Sequence, residues 1–334
     1  MILHPRLLLV FVPAPLLVTT LLVGYGNGVY PGYQGTAGTV PPNVTRAVPG
    51  CGAAACHRLF PGGLSLAVAV APSARALTPA QAISITTSAT GGQTLSTWGG
   101  FCMEATAGTF SAGTNSQVPL PAGTVVTHTQ ALAANNRVWT YGYTAPTTPG
   151  LVELYTVVNT ANGNGVPDAG DYWGFHGYSS SATQSTPVRL FVNAPGVAPL
   201  GDGCVGSWNQ HPVLGSKQAP TVGNQNFALE LHGAAPTSPV TVLIGANPAW
   251  QPIDLGVVGV PGCKLLVGPL VSLNTITSAG DMLRAEGTAT VPLPLPNDPA
   301  LRNGQIQVQA VIADANNGRP LPLTLTNGLA ISIQ

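Results

Sequence analysis

The chain has 334 residues, enough for about two domains. Eleven Lys and Arg balance eleven Asp and Glu, and only 7% of residues are charged. No basic face exists to collect phosphates, which excludes nucleic acid as a partner, and no acidic run exists to hold many cations. Gly (41) and Pro (32) are abundant while 45% of residues are hydrophobic, the composition of short strands joined by turns.

The N-terminus reads as an export signal over residues 1–28. His4 and Arg6 give a weakly positive start, the run from Leu7 to Val23 is largely apolar, and Gly24-Tyr25-Gly26-Asn27-Gly28 follows. Pro13 and Pro15 interrupt the run, which suits a cleaved leader better than a permanent span. Membrane contact is expected only through an uncleaved leader. The protein is expected to be secreted, periplasmic or on the cell surface.

Residues 29–60 are rich in turns and contain a glycosylation sequon, Asn43-Val44-Thr45. They end in Cys51-Gly-Ala-Ala-Ala-Cys56-His57. A Cys-His pair with a second Cys upstream is how a chain fixes c-type haem, the thiols bonding the vinyl groups and the His ligating iron. Four residues separate the cysteines here, where two are usual. The competing reading is structural: Cys51 pairs with Cys56, or Cys56 with Cys102.

From Leu64 the pattern changes to period two. Strands are expected at Leu64 to Val70, Ile83-Ser84-Ile85, Gly100 to Met103, Thr124 to Thr129, Arg137 to Tyr143, Leu151 to Val158 and Pro187 to Val192. Seven short strands spaced by turns predict an immunoglobulin-like sandwich over residues 29–193. His128, in the fourth strand, is the first candidate for a second axial haem ligand, on the face of Val126; Met103 and His176 are runners-up. The plain alternative for His128 is a strand histidine bonded to backbone. Asn162, Asn164, Asp168 and Asp171 form an oxygen-rich loop that suggests weak calcium binding, against the alternative of an Asn-Gly hairpin turn.

Residues 194–203, rich in Pro and Gly, read as a linker. A second strand-rich region over 204–334 reads as another sandwich. Its strands are expected at Phe227 to Leu231, Val240 to Ile244, Leu265 to Val267, Gly287 to Val291, Gln305 to Ile312 and Leu323 to Ile333. Cys204 and Cys263 are its only cysteines and are expected to pair. The fold class is therefore all-β, two immunoglobulin-like or Greek-key sandwiches in tandem after a signal peptide.

The ordered string Gly32-Tyr33-Gln34-Gly35, Cys56-His57, Gly100-Phe101, His128-Thr129, Trp139, Tyr143-Thr144-Ala145-Pro146, Gly150-Leu151-Val152 and Gly170-Asp171 resembles the bacterial reeler-like "choice-of-anchor V" domain. The resemblance implies an exported sandwich with a Cys-His motif at its start. The chain departs from that pattern at its Cys spacing and at Tyr143, which stands where the family tends to have Trp. The second region is similar to a module frequent in exported proteins of planctomycetes. Its marks are Gly201-x-Gly203-Cys204-x-Gly206-Ser207, Gly262-Cys263, Gln307-x-Gln309 and Leu325 to Leu329. That likeness implies an accessory sandwich and no chemistry.

Hydrolase readings lack residues: neither Gly-x-Ser-x-Gly nor His-Glu-x-x-His occurs. Two functions are expected. The first is a c-type haem protein passing electrons to a redox partner. The second is a non-enzymatic adhesive or structural protein, stapled by disulfides, that meets a cell-surface polymer or protein. Sparsely charged strand edges can also pair between copies, giving a homo-oligomer.

Overall fold

The computed structural model describes residues 58–59, 66–91, 98–119, 122–133, 136–162, 172–177 and 185–334. The leader, Cys51, Cys56, His57, Asn164, Asp168 and Asp171 lie outside the described residues. The chain is all-β, as its alternation predicts.

The first sandwich contains β1 (Arg58–Leu59), β2 (Leu66–Pro72), β3 (Ala76–Leu77), β4 (Ala82–Gly91), β5 (Trp98–Ala105), β6 (Thr109–Thr114) and β7 (Ser116–Gln117). It continues with β8 (Val125–His128), β9 (Leu132–Ala133), β10 (Val138–Thr144), β11 (Gly150–Ala161), β12 (Tyr172–Phe175) and β13 (Val188–Val192). One sheet runs β2-β4-β10-β6, and the other β1-β12-β11-β5-β8-β7, with β13 beside β11, β3 beside β13 and β9 beside β5. All seven strands expected in this half are present. Their alternation turns one face of each sheet inward. On β10, Trp139, Tyr141 and Tyr143 are buried while Val138 and Thr140 are exposed. Phe101 of β5 meets them from the opposite sheet, its ring 4.8 Å from Trp139 and 5.3 Å from Tyr141. The Tyr141 hydroxyl is satisfied by Thr87 Oγ1 at 2.6 Å and donates to Met103 Sδ at 3.1 Å. Met103 is thus a core residue, fully buried.

The second sandwich contains β14 (Val197–Gly201), β15 (Val213–Gly215), β16 (Ala228–Ala234), β17 (Pro239–Gly245), β18 (Ile253–Asp254) and β19 (Lys264–Leu265). It ends with β20 (Val271–Ile276), β21 (Gly287–Pro292), β22 (Gln305–Ala313), β23 (Leu323–Leu325) and β24 (Gly328–Ser332). The sheet β14-β24-β22-β17-β20 packs on β15-β16-β21 around Phe227, Leu229, Leu231, Val242, Val308 and Ile331. Within the segment expected as a linker, Val197–Gly201 is a strand paired with β24. Its Pro and Gly mimic linker composition, but its one inward residue, Val197, is buried in the second core.

The two halves are joined tightly. Ala76 of β3 belongs to the second core. Asn193 donates to the Leu77 carbonyl at 3.3 Å and accepts from Ser216 N at 3.0 Å. The Phe191 ring lies against Gly215, where any Cβ would overlap it.

Candidate functional site

His128 closes β8. The β5–β8 ladder pairs Glu104, Met103 and Cys102 with Val125, Val126 and Thr127, and ends there. Instead of standing on the Val126 face, the imidazole turns along β5. Nδ1 lies 3.0 Å from both the nitrogen and the oxygen of Phe101. Gly100 makes this possible, because a Cβ there would overlap the ring. The residue is 4% exposed. The ring thus bonds the Phe101 backbone and fills the space beside Gly100.

Cys102 is buried on the outer face of the same sheet, with Val125, Val157, Trp173 and Phe175. Trp139 and Trp173 are fully buried. Asn162 follows β11 and is the single member of the candidate calcium loop among the described residues. No group of three or more His, Cys, Asp or Glu that could hold a metal ion occurs among the described residues.

Cys204 and Cys263 form the expected disulfide, with Cα atoms 4.9 Å apart. Around it, Val260 and Leu325 complete a small core of their own. Gln309 ties this region to β22: its Oε1 accepts from Leu266 N at 2.8 Å, and its Nε2 donates to the carbonyls of Lys264 and Thr326 at 3.0 and 2.9 Å.

Two further features stand out. The first is β20, which among the described residues ends its sheet and pairs only with β17. Leu273 packs on the core, whereas Val271 is 57% and Ile276 61% exposed, and Leu270 just before them 74%. The strand has no charge and no proline. The opposite edge, β14, carries Pro199. No strand is expected here from the sequence, because exposed residues dominate the segment and mask its period-two signal.

The second is a cavity of about 50 Å³ between the sandwiches. Arg75, His176 and Arg189 line it from the first, and Asn209, Gln210 and His211 from the second. Burial pushes the Arg75 guanidinium down to about 10, partly offset by Asp202. Burial lowers His176 to about 4, against the Thr186 carbonyl that its ring bonds, with Arg75 and Arg189 lowering it further. Burial lowers His211 to about 3, with Arg75, His176 and Arg319 adding to the effect. Arg189 is committed, to Glu153 at 3.5 Å and to the Arg284 carbonyl at 3.3 Å. Sequence reading missed Arg75 and His211, since neither sits in a motif.

No protein-family model and no curated protein matches the chain. Among solved structures, it is similar to the Yersinia pseudotuberculosis adhesin InvE at 15% identity and a TM-score of 0.21, over 80% of this chain and 61% of that one. It is also similar to a DUF4466 family protein from Parabacteroides merdae at 8% identity and a TM-score of 0.26, over 80% of this chain and 99% of that one. The fold assignment rests on the chain's own sheets and cores.

Proposed function

We propose that this chain is an exported, non-enzymatic β-sandwich protein that acts by adhesion, joining a strand of another protein chain, including a second copy of itself, to the open edge of β20. That edge carries the reading. An edge strand offers a row of unpaired N–H and C=O groups, and folded proteins usually block it with charge, proline or cover. Here none of these devices is on the strand, and apolar side chains flank the row. The Cys204–Cys263 disulfide supports export, because such bonds persist in oxidising compartments. Among the described residues, no helix is long and apolar enough to cross a membrane.

The test is light scattering of the purified chain across a concentration series. Wild type is expected to associate, and the double variant Val271→Lys with Ile276→Lys to remain monomeric with an unchanged melting temperature. Equal behaviour of the two proteins would remove β20 as the adhesive surface.

The haem reading is decided on the same preparation, made in a host with c-type haem maturation. An apo mass, two hydrogens lighter per disulfide, and no Soret band are expected. A covalent haem mass would assign Cys51, Cys56 and His57 to electron transfer instead. Calcium dependence at Asn162, Asn164, Asp168 and Asp171 would appear as a lower melting temperature after chelation.

A further inference from the structure

The cavity between the sandwiches carries an unassigned function. Among the described residues, the Arg75 guanidinium makes no hydrogen bond and no ion pair, although the residue is partly buried. The His211 ring likewise has no hydrogen-bond partner there. His176 uses Nδ1 on the Thr186 carbonyl at 2.7 Å, which leaves Nε2 for the cavity. Among the described residues, no carboxylate lines the space. Glu153 is held by Arg189, and Asp202 acts on Arg75 without forming an ion pair. Just before His211, Trp208 and Asn209 are both left-handed, at φ 53° and 59°. Non-glycine residues adopt that conformation at a cost, and such strain persists only where the surroundings enforce it.

An unpaired guanidinium in a half-closed polar cavity is a poor arrangement by itself, because a buried charge without a partner is destabilising. It is a good arrangement for a ligand that supplies the missing negative charge. Guanidinium offers a planar fork of donors that matches carboxylate and phosphate oxygens. The cavity volume is several times the roughly 10–15 Å³ that one water needs, so a small oxyanion fits.

We propose that this cavity binds a small oxyanion, phosphate or carboxylate, held by Arg75 and His211 with His176 behind them. Because its walls come from both sandwiches, the bound anion pins one to the other. The site is independent of the β20 edge.

Inorganic phosphate is the probe, titrated calorimetrically into the full chain in Tris chloride, with melting temperature and ring-proton NMR read alongside. Saturable one-site binding is expected, with a raised melting temperature and shifted His176 and His211 ring signals. Arg75→Gln should weaken phosphate binding at least tenfold. Phosphate also raises melting temperatures generally by exclusion from protein surfaces. An equal rise in wild type and Arg75→Gln, or the absence of saturable heat, overturns the proposal. Should Arg75→Gln fail to fold, His211→Gln replaces it with the same expectation. Acetate is the second arm. Competition with phosphate extends the site to carboxylates, and phosphate binding without acetate binding confines it to phosphate; either outcome upholds the site.

Discussion

At the scale of single residues, buried imidazoles set the response of this protein to acid. His176 is 5% exposed and neutral in the fold, its folded pKa near 4 against an ordinary value of 6.5. The unfolded chain therefore binds its proton first as pH falls. Stability from this group is complete above pH 6.5 and drains away between pH 6.5 and about 4. Arg75 and Arg189 face it and sharpen the effect. His176 by itself should contribute a loss on the order of 3 kcal/mol to urea denaturation across that window, on top of that from His211, and His176→Gln should reduce the slope by that share. His128 answers to a different force. Its ring occupies the space that Gly100 leaves empty. Gly100→Ala forces the clamp out of place and should cost about 1–3 kcal/mol by overpacking, read as an earlier urea midpoint.

At the scale of elements, the disulfide and its supporting side chains hold the second sandwich. Cys204 and Cys263 are 59 residues apart, and closing a loop of that size removes about 4 kcal/mol of unfolded-state entropy in the chain model. Paired Ser substitutions at both positions should lower stability by about 2–5 kcal/mol, measured by denaturant midpoint. Gln309 fills three hydrogen bonds in the same region, so Gln309→Leu strands the Leu266 amide and should cost about 1–3 kcal/mol. The strands themselves were largely readable. On β4 and β10 buried and open positions alternate, and alternation is a property of neighbours in sequence. The two-residue strands β3, β7 and β9 are too short to show a period, β12 is buried at every position, and exposed residues dominate β6 and β20, so none of these shows alternation.

At the scale of the whole molecule, the two sandwiches share material. Ala76 sits in the second core, and Asn193 bonds both Leu77 and Ser216. Phe191 closes on Gly215. Such a junction couples the halves, so thermal unfolding of the wild type should be one calorimetric transition. Gly215→Val puts a side chain into the Phe191 ring and should split it into two. A single shifted transition in the variant would mean that the junction is not where cooperativity is carried.

The sequence alone determined that this chain is built of strands and that Cys204 meets Cys263. Period-two burial and cysteine pairing within one half need only local pattern and count. Tertiary structure decided the rest. The supposed linker is a strand because β24 lies beside it to take its hydrogen bonds. His128 is a clamp because Gly100 makes room for its ring. Arg75, His176 and His211 share a cavity because two sheets close on each other. A polar side chain's chemistry depends on what folding places against it, and those neighbours come from distant parts of the chain.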